Sequence, residues 1–222
     1  MIACKDLGLK SWGKIYTYGH GSSFCELTSL LSSGNRKLPS STAIFNMASA
    51  HDCPSRKLGL CKAAKQGAKC YAQKTEYSYH PEVLPYRRKQ EAFWKKTSAK
   101  EFVSQFLLLN ALKDSPYLHL RFNESGDFHS QECVDKAEEI AKMLRRFGIR
   151  CYCYTSRDDL CYKNLRHLIV TGSNFTKPGI SNVFRIVKSV KERKYGESVC
   201  KGNCRVCSLC LKKHLRIIAK KH

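Results

Sequence analysis

The chain has 222 residues, of which 42% are hydrophobic, and this ordinary globular composition excludes disorder of the whole chain. Its 40 Lys and Arg residues against 18 Asp and Glu give a formal net charge of +22. Positive charges in such excess repel one another in a compact fold, and a polyanion such as nucleic acid would relieve the repulsion. No stretch predicts a membrane span, and Met1–Lys14 lacks the apolar run of a signal peptide. We therefore expect a cytoplasmic protein that binds nucleic acid; the alternative is a protein that is merely basic.

Hydrophobic periodicity and turn residues predict the elements in chain order. Residues 1–40 are expected to be irregular, with one short helix near Cys25–Leu31. The predicted strands are Ser41–Met47, Tyr117–Phe122, Ile149–Tyr154, His167–Thr171 and Val183–Val190. The predicted helices lie within Pro85–Lys113, at Gln131–Phe147 and at Leu160–Arg166.

This alternation of strands and helices predicts an α/β fold, either a partial (β/α) barrel or an open, mostly parallel sheet. The predicted core domain covers residues 41–190, and a small cysteine-rich metal knot covers residues 191–222. Polar or thiol residues follow four of the strands, at Cys53, Glu124–Asp127, Thr155–Arg157 and Thr171–Asn174. Because the carboxyl ends of parallel strands share one edge, these residues predict an active site there.

The C-terminal cysteines follow the pattern C-x3-C-x2-C-x2-C, at Cys200, Cys204, Cys207 and Cys210. Four thiolates this close in sequence can surround one metal centre. The spacing has the steps of ferredoxin cysteines in another order, whereas structural zinc usually takes two C-x2-C pairs that lie far apart. We therefore favour an iron–sulfur cluster over zinc at this site.

A wider triplet comprises Cys53, Cys61 and Cys70. Three thiolates can hold a four-iron (4Fe-4S) cluster while one iron stays open, as radical S-adenosylmethionine chemistry requires. Zinc with a fourth ligand such as His51 and three ordinary buried thiols are the alternatives. Cys151 and Cys153 alternate within a strand and are expected in the core, and Cys4, Cys25, Cys133 and Cys161 are expected to be structural.

The turn Glu124-Ser125-Gly126-Asp127 carries two carboxylates at a strand end, where they can act as acid, base or ligand. The alternative is a helix start at which Asp127 or Ser130 caps the helix from Gln131. His129, beside the same turn, is expected to be a hydrogen-bonded bystander.

Basic residues lie among aromatic residues in two regions of the chain. The Tyr86-Arg87-Arg88 stretch and the tail with Lys212, Lys213 and Arg216 are candidate nucleic-acid contacts. For Phe93 the favoured alternative is the apolar face of a helix.

The blocks F-N-M-A-S-A-H-D-C-P, R-F-N-E-S-G-D-F-H-S and Y-C-Y-T-S-R, together with Cys61 and Cys70-Tyr-Ala, resemble a phage family called gene product 88. The resemblance spans about residues 40–175 and implies a bacteriophage context and a shared architecture.

The layout is also similar to that of phage proteins with a three-cysteine motif that are regarded as radical-S-adenosylmethionine-like. The resemblance implies a cluster at Cys53, Cys61 and Cys70 and a third-strand motif at Thr155 and Arg157. It also implies that Glu124, Ser125, Gly126 and Asp127 hold the amino group of the cofactor, with Phe128 and His129 in the same motif. This triplet is wider than the usual C-x3-C-x2-C pattern.

Three functions follow as hypotheses. The first is an iron–sulfur, radical-type enzyme that modifies nucleic acid, with an auxiliary cluster at Cys200–Cys210. The second is a zinc-stabilised enzyme of base or glycosidic-bond chemistry with Glu124 or Asp127 as base or nucleophile. The third is a zinc-dependent binding protein without activity. We expect the two cysteine sets to form separate sites, with Cys53, Cys61 and Cys70 on the side of Glu124–Asp127.

Overall fold

The computed structural model describes residues 26–61 and 70–220. Most of the predicted irregular N-terminal segment, including Cys4 and Cys25, lies outside these residues. Within them, the predicted first helix is a 3₁₀ turn at Glu26–Leu30. Other short helical turns occupy Pro54–Lys57, Tyr71–Lys74, the π-helical Thr75–Tyr79, Val190–Glu192 and Leu209–Leu211.

A sheet of eight strands forms the centre of the fold. The strands are β1 Ser32–Ser33, β2 Thr42–Phe45, β3 His119–Phe122, β4 Arg150–Thr155, β5 Ile169–Ser173, β6 Asn182–Val187, β7 Glu197–Val199 and β8 Leu215–Lys220. Their order is β1-β2-β3-β4-β5-β6-β8-β7, and only the β1–β2 pair is antiparallel. The prediction of an α/β fold with a mostly parallel sheet is therefore confirmed.

Three helices, α1 Val83–Lys96, α2 Ala99–Ala111 and α3 Gln131–Arg145, pack their apolar sides against one face of this sheet. A capping box formed by Ser98 and Glu101 starts α2. At the centre of the core, the Phe102 ring lies 5.1 Å from Phe45 and 6.0 Å from Trp94, measured between centroids. Phe93 is 1% exposed, so its expected place on the apolar side of a helix is confirmed.

Side chains of β4 alternate between the two faces of the sheet. Cys151 and Cys153 lie in the core beside the helices, as expected from their spacing. Tyr152 and Tyr154 lie on the opposite face, where residues 200–211 cover them. The cysteine-rich segment therefore packs on the face of the sheet that the long helices leave open.

The C-terminal region differs from the predicted appendage. Strand β8 lies between β6 and β7 and pairs with both in parallel, so residues 197–220 belong to the main sheet. Arg185 on β6 also forms an ion pair at 2.7 Å with Glu197 on β7. The predicted boundary near residue 190 therefore divides one continuous sheet.

The connection between β4 and β5 contains no helix, although residues 160–166 were predicted to form one. The carboxylate of Glu138 on α3 accepts hydrogen bonds from the backbone N–H groups of Arg166, His167 and Leu168. Because this side chain satisfies the backbone donors, the segment stays irregular without losing hydrogen bonds. In the described part of the chain, no helix is both long and apolar enough to span a membrane.

Candidate functional site

A cavity of about 360 Å³ opens at the carboxyl edge of the parallel strands, and we call it the first cavity. Its walls come from the segments that follow β2, β3 and β4 and from the last residue of β5, Ser173. Residues 123–127 and 154–156 form the side next to the sheet. The predicted convergence of strand ends therefore occurs in the structure.

The three cysteines of the triplet, Cys53, Cys61 and Cys70, all line the first cavity. Each is partly buried and has a free thiol. Burial, and next the negative charge of Asp127, raise the pKa of the Cys53 thiol to about 12. Cys53 is therefore neutral at physiological pH unless a cation lies next to its sulfur.

Cys53 is held at the cavity by the short turn Pro54–Lys57. Its carbonyl accepts hydrogen bonds from Arg56 and Lys57, while the Ser55 hydroxyl donates to Asp127 at 2.6 Å. Asp127 in turn follows β3, so one side-chain bond links the cysteine loop to the edge of the sheet.

Asp127 is 3% exposed, and its carboxylate accepts four hydrogen bonds. The donors are the hydroxyls of Ser55 and Thr155 and the backbone N–H groups of Phe128 and Ser156, at 2.6 to 2.9 Å. Burial raises the pKa of this carboxyl group, and the four donors lower it in part. Since both oxygens are engaged, Asp127 joins the loops together and has little capacity left to act as a base or to bind an amino group.

We expect Asp127→Asn to lower the free energy of unfolding by about 1–3 kcal/mol, because the amide offers one acceptor oxygen where the carboxylate offers two. Urea unfolding measures this loss. Asp158→Asn is the control, since Asp158 is exposed and lies on the adjoining turn. A similar loss in both variants would contradict the bridging role of Asp127.

A second buried network holds the segment that follows Cys70. The fully buried side chain of Glu76 accepts hydrogen bonds from the backbone N–H groups of Ala50 and His51 and pairs with Arg87 of α1 at 2.8 Å. Ser125 donates to the same carboxylate at 3.3 Å. Glu76 therefore connects α1 to the loops that follow β2 and β3.

Glu124 and Asn123 are two polar residues of the first cavity that retain bonding capacity. Glu124 is partly buried, and among the described residues its Oε1 accepts a hydrogen bond from Asn35. The Oδ1 atom of Asn123 accepts from Met47, whereas its buried Nδ2 has no partner among the described residues. An unpaired buried donor costs free energy, and a ligand with an acceptor oxygen would satisfy it.

Thr155 and Arg157 were predicted to act together, but the structure separates their roles. Thr155 lines the cavity and donates to Asp127. The guanidinium group of Arg157 is instead paired with Asp159 at 2.8 Å and donates to the carbonyls of Phe128 and His129. Arg157 is 4% exposed and lies behind the cavity wall, so it fixes the turn and does not face a ligand.

The alternative interpretation of the acidic turn, a helix cap, also differs from the structure. Ser130 occupies the N-cap position of α3 without a side-chain cap hydrogen bond, and the Asp127 carboxylate bonds elsewhere. His129 is a hydrogen-bonded bystander as expected, with Nε2 at 2.9 Å from the Met47 carbonyl oxygen.

A second cavity, of about 380 Å³, lies between the open face of the sheet and residues 200–211. All four C-terminal cysteines line it, and none of them lines the first cavity. The two sets of thiols are therefore spatially separate, as expected, and the triplet shares its cavity with Glu124–Asp127. Tyr154 lies between the cavities, and its hydroxyl is 2.6 Å from the sulfur of Cys210.

Comparison with known protein families shows to which family the chain belongs. The model of the family described as Gene product 88 matches residues 27–210, which is most of the sequence. The chain belongs to the Gene product 88 family. No curated protein and no solved structure matches it.

The span shared with the Gene product 88 family contains all seven candidate cysteines and ends at Cys210. Across residues 26–61 and 70–220, no three His, Cys, Asp or Glu side chains lie close enough together to ligate one metal ion. The thiols line their cavities without converging on a point, so the metal sites stay predictions.

The candidate nucleic-acid contacts fall into two groups. Arg87 is 6% exposed and bound to Glu76, so it is not available to a phosphate. Arg88 is exposed and pairs with Asp52 at 2.9 Å. Lys212 and Lys213, just before β8, and Arg216, within it, are exposed and lie beyond the span matched by the family model.

Sequence reasoning missed Glu76, Asn123, Arg121 and Asn46, whose Oδ1 accepts a hydrogen bond from the backbone N–H of Ser125 at 2.8 Å. Asn46 follows β2 and Asn123 follows β3, so the strand-end argument that selected Glu124 could also have selected these two residues. Arg121 alternates with the apolar residues Leu120 and Phe122, and this pattern predicts that its side chain faces solvent. In the structure the side chain instead lines the second cavity. No signal in the sequence marks Glu76, since its partners are distant along the chain.

Proposed function

We propose that this protein is an iron–sulfur enzyme that modifies nucleic acid, with its reaction centre in the first cavity. Cys53, Cys61 and Cys70 would hold a four-iron cluster, and S-adenosylmethionine is the proposed co-substrate. The observation that carries the proposal is the meeting of three thiols with Glu124 and Asn123 in one cavity at the carboxyl edge of the sheet.

The residues that line the first cavity suit a four-iron cluster in their number and chemical type. A cluster held by three thiolates has one open iron, which would chelate the amino-acid end of S-adenosylmethionine and supply radical chemistry. The raised pKa of Cys53 suits a thiol that ionises only beside a metal cation. Glu124 carries a carboxylate for an ammonium group, and Asn123 Nδ2 offers a donor for a carboxylate. The cavity volume is within the range of small-ligand sites.

The proposed substrate, DNA or RNA, is supported by the net charge of +22 and by the rim of the first cavity. Tyr71 lines this cavity with 67% of its surface exposed, and its hydroxyl donates to the Glu124 carbonyl at 2.7 Å. Arg56 is exposed at the same rim. An exposed ring held in place beside a cation suits stacking with an unpaired base. On this proposal the protein works in the cytoplasm of the host cell.

We expect Tyr71→Ala to weaken binding of a single-stranded oligonucleotide about 5- to 150-fold, which corresponds to about 1–3 kcal/mol of base stacking. Fluorescence anisotropy at fixed salt measures the affinity. Tyr71→Phe keeps the ring and should bind nearly as the wild type. Tyr195→Ala removes an exposed ring outside both cavities and should have no effect. Equal affinities for Tyr71→Ala and Tyr195→Ala would refute the contact.

Metal analysis tests the cluster directly. Anaerobically purified protein should contain iron and sulfide and show broad absorption at about 400 nm. Serine in place of Cys53, Cys61 or Cys70 should remove this cluster, whereas Cys161→Ser should not, because Cys161 is exposed and lines neither cavity. Colourless protein that contains only zinc would contradict the proposal.

A second candidate is a zinc-stabilised enzyme that acts on a base or a glycosidic bond of nucleic acid. It is favoured by one observation, the partly buried carboxylate of Glu124 in the first cavity. Glu124 would be its base or nucleophile, since the Asp127 carboxylate already accepts four hydrogen bonds. Loss of activity in Glu124→Gln with unchanged zinc and no iron would support this candidate. A binding protein without activity is less favoured, because a cavity lies between Cys70 and Asp127.

A further inference from the structure

Arg121 is a partly buried cation that has no anionic partner among the described residues. It lies in the middle of β3 on the face of the sheet that the long helices leave open, and it lines the second cavity. Its Nε atom is buried and has no hydrogen-bond partner, and no ion pair joins its guanidinium group to a carboxylate of the described residues. Its guanidinium carbon lies 5.5 Å from the centroid of the Tyr154 ring. A cation held partly away from water without a partner is costly, so an anion is expected next to it.

Among the described residues, the second cavity supplies no carboxylate for this role. None of its described lining residues is Asp or Glu, and Glu124 influences Arg121 only from beyond ion-pair distance. Tyr152, Tyr154 and His119 offer neutral polar groups around the guanidinium. Apart from a second cation, Arg205, the remaining ionisable groups of the described wall are the four thiols of residues 200–210.

These thiols belong to a segment anchored on both sides of the cavity. The backbone N–H of Cys200 donates to Ile218 of β8 at 2.7 Å, and that of Cys204 donates to the Lys37 carbonyl at 3.0 Å. Between them, Gly202 adopts a positive φ of 70°, and a side chain there would meet nothing within 4 Å. The loop is therefore anchored at Cys200 and Cys204, and the second cavity provides open space next to the thiols.

We propose that Cys200, Cys204, Cys207 and Cys210 bind a metal centre of charge +2 as four thiolates, and that Arg121 is the counter-ion of this centre. Binding releases four protons from the four thiols, and the resulting centre has a net charge of −2. The guanidinium group offsets half of that charge and supplies N–H donors to the sulfur atoms. A zinc ion and an oxidised iron–sulfur core share this charge and ligand set. The thiols would move inward from the positions that they occupy on the cavity wall.

Arg121 is thus a positioning residue that tunes the centre from outside its ligand set. The inference does not depend on the proposed function, since it uses neither the triplet nor the first cavity. Failure of one leaves the other intact: Cys61→Ser tests the first cavity, and Cys204→Ser tests the second.

Metal content of the full-length protein after anaerobic purification is the first readout. Cys204→Ser should lose the metal of one centre that Cys61→Ser retains. Zinc without sulfide identifies a zinc ion, and iron with sulfide identifies a cluster; both results support a four-thiolate centre. Unchanged metal content in Cys204→Ser would overturn it.

Affinity in competition with a chelator is the second readout. Arg121→Met should weaken metal binding by about 10- to 100-fold, the usual effect of losing a group that supports metal ligands. Arg121→Lys keeps the charge and should lose less. Arg150→Met, at an exposed position on neighbouring β4, should bind as the wild type does. Wild-type affinity in Arg121→Met would overturn the counter-ion role.

Stability is the third readout, and Arg121→Met should change it in opposite directions in metal-free and metal-loaded protein. In metal-free protein Arg121→Met should raise the urea midpoint, because it removes a partly buried, unpaired charge. In metal-loaded protein the same change should lower the midpoint, because it removes the counter-ion. A change of the same sign in both states would contradict the proposal.

Discussion

Arg87→Met should lower the free energy of unfolding by about 3–5 kcal/mol, the usual cost of removing one partner of a buried ion pair. The loss is large because the Glu76 side chain is fully buried and would be left charged without its cation. The Arg87 guanidinium group also donates to the Ala72 carbonyl at 3.2 Å, which would lose this bond. Urea unfolding monitored by circular dichroism measures the change.

Arg88→Met is the matched control, because the neighbouring arginine is exposed and pairs with Asp52 at the surface. It should change stability by less than about 1 kcal/mol. Adding Glu76→Gln to Arg87→Met should recover part of the loss, since the buried charge is then absent from both partners. Similar losses in Arg87→Met and Arg88→Met would show that the buried pair is not important for stability.

Gly126→Ala should destabilise the protein by about 2–5 kcal/mol, the sum of left-handed backbone strain and overpacking. Gly126 has a φ of 71°, and a Cβ atom there would lie 2.3 Å from the backbone oxygen of Ala48. Since Ala48 belongs to the loop between β2 and Cys53, the clash would push that loop away from the acidic turn. If the first cavity holds the proposed cluster, the variant should lose that metal along with stability, as measured by unfolding and metal analysis.

Gly148→Ala separates the two causes. Gly148 has a similar φ of 77°, but a Cβ atom there would meet nothing within 4 Å. It should therefore cost only the backbone strain, about 1–2 kcal/mol, and leave the metal content unchanged. Equal effects of the two substitutions would mean that the close approach of Ala48 to Gly126 does not constrain the site.

Local sequence patterns predicted the parts of the site that depend on strand ends. The alternation in β3 and β4 placed Glu124–Asp127 and Thr155 just beyond parallel strands, and the structure brings them to one cavity with Cys53. This worked because residues at the carboxyl ends of neighbouring parallel strands lie at one edge, whatever the intervening chain does. The same rule placed Cys53 at that edge, because it follows the first predicted strand.

Roles that depend on long-range contacts could not be predicted. Arg87 and Arg88 are adjacent and chemically identical, yet the side on which α1 packs buries one and exposes the other. Asp127 was a candidate base, but its oxygens accept bonds from residues as distant along the chain as Ser55. No local pattern contains that information, because the four donors come together only after the loops have packed.

The sequence by itself determined the α/β class, the mostly parallel sheet, the basic character of the protein and the two separate sets of cysteines. These features depend on composition, on short-range periodicity and on the chain length between neighbours. Only the tertiary structure decided that β8 enters the sheet between β6 and β7, and that residues 200–211 therefore cover Arg121. Pairing of distant strands is selected by the free energy of the whole sheet, so a single segment does not encode which neighbours it will have.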